Sequence, residues 1–127
     1  MSHNVPPFPA SRPRRLRATP QLRAMVRETH LRVEDLIYPM FIAEGSGVRN
    51  PVASMPEVFQ LSIDEALKEL EEVTALGIPC IDLFGVPQEK DLEGKLALDD
   101  DGLIQRAVRA IKERFPQLVV MTDVCLC

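Results

Sequence analysis

The chain has 127 residues, of which 46% are hydrophobic and 5% aromatic, and its formal net charge is -4 at pH 7. This length favours a single domain, and the composition is typical of a globular protein with its own core. The negative balance gives no indication of nucleic-acid binding by the chain as a whole. No run of 18 apolar residues exists, which excludes a membrane-spanning helix as a predicted element.

Charge is unevenly distributed along the chain. Residues 1–33 hold seven arginines and one acid, Glu28, whereas residues 34–127 hold eight basic and eighteen acidic residues. A basic arm joined to an acidic body favours self-association through the arm, and RNA, lipid headgroups or solvent alone stay open as alternatives. The N-terminus lacks the apolar core of a secretory signal, and three cysteines without such a signal indicate the reducing cytoplasm.

The first third of the chain predicts an extended arm, a short helix and a strand. Prolines at positions 6, 7, 9 and 13 favour an extended arm. Thr19 followed by Pro20 predicts the start of a helix that runs to about Glu28. The apolar run 36–43 predicts a buried strand, although Pro39 argues against a fully hydrogen-bonded central position.

A loop and a helix follow. Glycines, Asn50 and Pro51 predict a loop that extends to Pro56. Ser62 and Glu65 have the spacing of a capping box, in which each side chain bonds an amide at the start of the helix. The helix after them carries one apolar stripe and ends at Gly77; the stripe consists of Ile63, Ala66, Leu67, Leu70, Val73 and Thr74.

The second half repeats the strand and helix pattern. Residues 80–86 predict a strand, and the polar segment 87–101 ends in acids that suit the start of a helix. That helix stops at Pro116, and its apolar face consists of Leu103, Ala107, Val108, Ala110, Ile111 and Phe115. The last stretch predicts a strand with one apolar face and one face that carries a carboxylate and two thiols. The apolar face holds Leu118, Val120, Thr122, Val124 and Leu126, and the other holds Val119, Met121, Asp123, Cys125 and Cys127.

Helices between short apolar strands predict an α/β fold with a parallel sheet and right-handed crossovers. Three strands and two helices cannot close a barrel, which takes eight such units, and they would leave an apolar edge strand exposed. The sequence therefore predicts residues 1–33 as a basic arm with a short helix. It predicts residues 34–127 as the first part of a longer α/β protein.

Two cysteines are the strongest candidates for a metal site. On a strand the side chains of Cys125 and Cys127 project to the same side, so both sulfurs can reach one metal ion at about 2.3 Å. Asp123 lies on the same face, where it could hydrogen-bond a ligand or contact a substrate. The alternative is that both cysteines pack as small apolar residues. A disulfide between positions two apart on a strand has poor geometry.

The remaining cysteine, the histidines, the lysines and Asp82 are expected to have structural roles or none. Cys80 is expected to pack in the core, Asp82 to be a satisfied structural carboxylate, His3 to be disordered and His30 to be a turn residue. A Schiff-base lysine needs desolvation to be neutral near pH 7. None of the four lysines has a position that offers this: Lys68, Lys90, Lys95 and Lys112.

Several segments together resemble the porphobilinogen synthase family, also called the 5-aminolevulinic acid dehydratases. They are Arg-Pro-Arg-Arg-Leu-Arg at 12–17, Asp-Leu-Ile-Tyr-Pro-Met-Phe at 35–41, Ser-Met-Pro at 54–56, Leu-Phe-Gly-Val-Pro at 83–87, Lys90-Asp91 with Gly94, Asp101-Gly102, and Thr-Asp-Val-Cys-Leu-Cys at 122–127. The last segment resembles the start of the metal loop of the zinc-dependent branch. The sequence departs from the family at Glu57, where glycine is usual, and at Lys95, where serine is frequent.

The resemblance implies the first units of a TIM (β/α)8 barrel and an N-terminal arm that wraps a neighbouring subunit of a homo-octamer. It implies a hydro-lyase that condenses two molecules of 5-aminolevulinate to porphobilinogen in tetrapyrrole (haem) biosynthesis. Cys125 and Cys127 would be Zn2+ ligands beside Asp123, with Mg2+ a further candidate ion of the full-length enzyme. The third zinc cysteine, the two Schiff-base lysines and the carboxylate-binding arginines would lie beyond residue 127. These 127 residues alone are therefore expected to be inactive, with no nucleic-acid or membrane partner. A small metal- or thiol-binding module and a non-catalytic assembly fragment are the alternatives.

Overall fold

Residues 6–12, 14–88, 94 and 98–124 are described by the structure, which is a computed structural model. The chain divides into two units, residues 1–31 and 32–127. In the first, a 3-10 turn at Arg15–Arg17 precedes helix α1, Pro20–Met25. The Thr19 hydroxyl accepts a hydrogen bond from the Leu22 amide at 3.2 Å, which confirms the predicted start of the helix. The helix ends three residues before the predicted Glu28.

The second unit is built on one five-stranded sheet. Its strands are β1 (Ile37–Ala43), β2 (Arg49–Pro51), β3 (Phe59–Leu61), β4 (Cys80–Val86) and β5 (Val119–Thr122). They lie in the order β2-β3-β1-β4-β5. The three predicted strands, β1, β4 and β5, are adjacent and parallel, whereas β2 runs antiparallel to β3. Helix α2 (Ile63–Ala75) connects β3 to β4, and helix α3 (Leu103–Arg114) precedes β5.

Strands β2 and β3 correct the sequence analysis, which predicted a loop over the first of them and no strand at the second. β3 pairs in parallel with β1 only at Phe41 and Ile42. Pro39 therefore has a strand neighbour, β4, on one side only among the described residues. A proline, which cannot donate a ladder hydrogen bond, is tolerated at such a position.

The core lies between the sheet and the two long helices. The apolar stripes predicted for α2 and α3 are confirmed, since Leu70 of α2 and Ile111 of α3 are fully buried. They pack with alternate residues of the parallel strands in a single cluster: Met40, Ile42, Leu61, Ala66, Leu70, Val73, Ile81, Leu83, Ala107, Ile111 and Leu118. No helix in the described part of the chain is long and apolar enough to cross a membrane.

The predicted capping box at α2 is wrong in its hydrogen bonds. Ser62 is the N-cap residue, but its hydroxyl accepts no hydrogen bond from a backbone amide of the first helical turn. It accepts from the Val48 amide at 2.9 Å and donates to Asp64 at 2.6 Å, while Glu65 instead pairs with Lys68. Ser62 is fully buried, and its oxygen gives the Val48 amide of the loop a hydrogen-bond acceptor that this amide would otherwise lack.

Glu57 adopts a left-handed backbone conformation with φ of 65°. A side chain costs roughly 1–2 kcal/mol there, whereas glycine adopts this conformation freely but loses more entropy on folding. We therefore expect Glu57→Gly to raise the free energy of unfolding by about 1 kcal/mol. Urea unfolding measures this, with Glu57→Ala as the control that keeps the strain. A glycine variant no more stable than the alanine variant would contradict the expectation.

Tyr38 joins β1 to α2 and, through a carboxylate, to β2. Its hydroxyl donates to Glu69 at 2.6 Å, and the Arg49 guanidinium donates to the other Glu69 oxygen at 2.9 Å. The same guanidinium lies 4.2 Å from the centre of the Phe59 ring. The short strands β2 and β3 are thus attached to the helix layer by side chains as well as by backbone pairing.

Burial, followed by the hydrogen bond to Glu69, raises the pKa of Tyr38 from 10.0 to about 12. The folded state therefore favours the neutral phenol, and this stabilisation is complete below pH 10 and disappears as the pH rises through 12. The chain contains one tyrosine and no tryptophan, so phenolate absorbance reports Tyr38 alone. We expect the native titration midpoint to lie above that of the urea-unfolded chain, and Glu69→Gln to lower it. Equal native and unfolded midpoints would exclude this environment.

Candidate functional site at the carboxyl ends of the parallel strands

Helices α2 and α3 pack on one face of the sheet, and neither packs on the other face, which is called the helix-free face. Residues that pair across parallel strands point to the same face, so the register defines this helix-free face. Three rows of side chains cross it: Ile37, Cys80 and Val119, then Pro39, Asp82 and Met121, then Phe41 and Phe84. The Phe41 and Phe84 rings lie with their centres 5.6 Å apart. The face is therefore mainly apolar, with one carboxylate in its middle row.

Asp123 lies at the carboxyl end of β5. Its backbone amide donates to the Leu83 carbonyl at 3.2 Å, so the pairing with β4 continues one residue beyond β5. The alternation along the strand places Asp123 on the helix-free face with Met121, and the residue is exposed. Cys125 and Cys127 lie outside the described residues. A role for Asp123 and the two cysteines therefore remains a prediction.

The end of β1 is held by an ion pair that the sequence analysis missed. Arg106 of α3 donates through Nη2 to both carboxylate oxygens of Glu44, at 2.8 and 2.9 Å, and through Nε to the Asp101 carbonyl at 3.0 Å. Glu44 raises the pKa of Arg106 by accepting this hydrogen bond. The two residues are 62 positions apart in sequence, so no local spacing could reveal the pair. It fixes the segment after β1 to the helix that precedes β5.

A second set of contacts holds the loop after β1. The Gly47 amide donates to Asp64 at 2.9 Å, and the Ser46 hydroxyl donates to the same carboxylate. Gly47 has φ of 64°, a conformation that glycine adopts without strain. The hydrogen bond from Ser62, followed by that from Gly47, lowers the pKa of Asp64. The loop at the carboxyl end of β1 is thus attached to the start of α2.

The described lysines do not have the environment of a Schiff-base nucleophile. Glu65 raises the pKa of Lys68 by accepting its hydrogen bond, which favours the charged form. The Lys112 ammonium group donates to the carbonyls of Pro116 and Leu118, at 2.6 and 2.9 Å, and so fixes the turn between α3 and β5. Lys90 and Lys95 lie outside the described residues.

The remaining candidates are partly confirmed. Cys80 is buried, as predicted, and begins β4 at the end away from Val86. His30 is exposed and follows α1, whereas His3 lies outside the described residues. Asp82 was expected to be satisfied, but its carboxylate has no hydrogen-bond or ion-pair partner among the described residues. Within the same residues, no group of three or more His, Cys, Asp or Glu side chains could hold a metal ion.

Similarity to known proteins covers nearly the whole chain. A family model described as delta-aminolevulinic acid dehydratase matches residues 10–127. A delta-aminolevulinic acid dehydratase from Halalkalibacterium halodurans is 54% identical over 116 residues, which are 91% of this chain and 35% of the relative. A Synechocystis sp. protein of the same name is 52% identical over 120 residues, which are 94% of this chain and 37% of the relative. The chain thus spans about a third of the length of these relatives.

A solved structure shows the same arrangement of elements. It is the delta-aminolevulinic acid dehydratase (porphobilinogen synthase) of Toxoplasma gondii ME49, in complex with the reaction product porphobilinogen. The match has a TM-score of 0.86 and 35% sequence identity, and covers 91% of this chain and 33% of that one. It confirms the predicted fold, an incomplete (β/α)8 barrel. In such barrels the active site lies at the carboxyl ends of the strands.

Proposed function

This chain belongs to the delta-aminolevulinic acid dehydratase family, and we propose that it is the N-terminal part of an enzyme of this activity. The whole enzyme would condense two molecules of 5-aminolevulinate to porphobilinogen with loss of water, in haem and other tetrapyrrole biosynthesis. The observation that carries the proposal is the family match over residues 10–127. The structural likeness to an enzyme solved with porphobilinogen bound supports it.

The residues at the end of β5 suit a zinc ion. Asp123 is still paired with β4 through its backbone, so the strand delivers the chain to the carboxyl edge of the sheet just before the cysteines. Two thiolates are preferred zinc ligands, and a site with an open position also needs ligands from elsewhere. We propose that Cys125 and Cys127 bind Zn2+ together with a cysteine outside this chain. When bound, the ion would polarise a substrate carbonyl.

The described residues would contribute structure rather than Schiff-base chemistry. The Glu44–Arg106 pair and the Asp64 contacts hold the segment after β1, and Asp123 follows β5 at the carboxyl edge of the sheet. Asp123 would then orient a zinc ligand or contact the substrate. Neither Lys68 nor Lys112 is placed as the imine-forming nucleophile, because Lys68 donates to the Glu65 carboxylate and Lys112 to backbone carbonyls of the turn before β5.

Assembly and location extend the proposal. We propose a homo-octamer in which the basic residues 1–33 contact the acidic body of a neighbouring copy, in the cytoplasm. The charge distribution along the chain supports this arrangement. Mg2+ remains a further candidate ion of the full-length enzyme.

A fusion enzyme tests the proposed activity. Residues 1–127 would be joined to the C-terminal remainder of the Halalkalibacterium halodurans relative at the position where the match ends. We expect the fusion to form porphobilinogen from 5-aminolevulinate, because it restores the groups that this chain lacks. The isolated chain should form none, and it serves as the matched control. A folded but inactive fusion, or turnover by the isolated chain, would refute the proposal.

A further inference from the structure

Asp82 occupies the centre of the helix-free face. It lies on β4, the middle of the three parallel strands, with Pro39 and Met121 paired beside it on β1 and β5. Along its own strand, Cys80 and Phe84 point to the same face. Asp82 is therefore a carboxylate surrounded by apolar side chains on four sides.

This face carries apolar residues with substantial exposure. Ile37 is 51% exposed, Val119 54% and Met121 44%, whereas the alternate residues beneath the helices are buried. A contiguous apolar face of this kind marks a surface that another polypeptide covers. Asp82 is only partly exposed, and it has no hydrogen-bond or ion-pair partner in the described part of the chain.

Covering this face would remove water from Asp82. A buried carboxylate is strongly unfavourable unless it is paired and hydrogen-bonded, and acidic side chains are rarely buried without a partner. On the sheet side, no described residue can supply that partner, since the neighbours are proline, methionine, cysteine and phenylalanine. A cation on the covering polypeptide would supply it.

We propose that the helix-free face docks onto the part of the barrel that lies outside this chain, and that this part places an arginine or lysine against Asp82. Two observations indicate what covers the face: the length of the matched structure and the charge of Asp82. The chain accounts for only 33% of the matched solved structure, so most of that fold is available to cover the face. A cation complements the one charge on it. The inference rests on the proposed function only in assuming that the chain is part of a longer barrel.

A two-piece complex tests the docking. The chain would be co-expressed with the separate C-terminal remainder of the Halalkalibacterium halodurans relative, and the affinity of the two pieces measured by titration. We expect a stable complex with the unaltered chain. Asp82→Asn and Asp82→Lys should each weaken it about 100-fold or more, because a cation then lies buried without its counter-charge. Asp100→Asn and Asp100→Lys, changes at an exposed acid, should leave the affinity unchanged.

The outcomes separate this inference from the proposed activity. If Asp82→Leu binds as tightly as the unaltered chain or more tightly, the covering surface is apolar at that point and the cation is excluded. If the pieces do not associate, the rest of the barrel does not cover this face. If the isolated chain instead forms a dimer that Asp82→Lys dissociates, a second copy covers it, and the proposal is again wrong. An active fusion enzyme combined with any of these results would overturn only the inference about Asp82. An inactive fusion enzyme, together with the expected loss of affinity in the Asp82 variants, would overturn only the proposed enzymatic activity.

Discussion

Replacing Leu70 with alanine is expected to lower the free energy of unfolding by about 3–4 kcal/mol, the largest stability change among the predictions. Leu70 lies on α2, is fully buried, and belongs to the cluster that joins both long helices to the sheet. The substitution removes three carbon atoms and leaves a cavity that rigid neighbours on β1 and β4 fill only partly. This loss is a large fraction of the roughly 5–15 kcal/mol by which a typical domain is stable.

Leu76→Ala is the matched control, because the same atoms are removed from a side chain that is 69% exposed at the end of the same helix. We expect it to change the free energy of unfolding by less than about 0.5 kcal/mol. Urea unfolding followed by circular dichroism measures both variants. Equal losses for the two variants would show that α2 is not packed on the sheet through Leu70.

The elements that could be predicted from the sequence are those whose pattern of apolar residues is visible within one short stretch of chain. Leu70 and Ile111 recur at helical spacing within amphipathic stripes, and their burial is confirmed. The parallel strands β1 and β4 are short apolar runs that require no distant information to recognise. Their parallel direction followed from the helices between the predicted strands, because a parallel pair needs a crossover.

The features that the sequence could not predict depend on distant partners. Strands β2 and β3 are three residues each, and they are strands only because they pair with each other and with β1. The Glu44–Arg106 pair has the same cause, since only the fold brings α3 beside the end of β1. The Ser62 hydroxyl accepts from the Val48 amide of the loop, rather than from an amide of the helix, because the loop folds over it. Asp82 has no partner among the described residues because the described sheet supplies only apolar neighbours.

Replacing either Cys125 or Cys127 with alanine in the fusion enzyme is expected to abolish tight zinc binding and to lower porphobilinogen formation more than about 100-fold. Loss of an outer partner of a zinc ligand already costs about 10- to 100-fold in affinity or activity, so loss of a thiolate ligand costs more. Bound zinc is measured by mass spectrometry of the native protein, and activity by product formation. Asp123→Asn, which retains the size of the side chain, should reduce activity while leaving zinc bound.

Cys80→Ala is the control for the cysteine variants, because Cys80 is the third cysteine of residues 1–127 and is buried at the start of β4, away from the carboxyl ends of the strands. Its replacement should leave the zinc content unchanged and affect only stability, since it removes a small packed side chain. If Cys125→Ala retains stoichiometric zinc, the metal is held elsewhere and the strand-end site is wrong. If Cys80→Ala loses zinc as well, the loss reflects unfolding, and circular dichroism of the three variants separates that case from loss of a ligand.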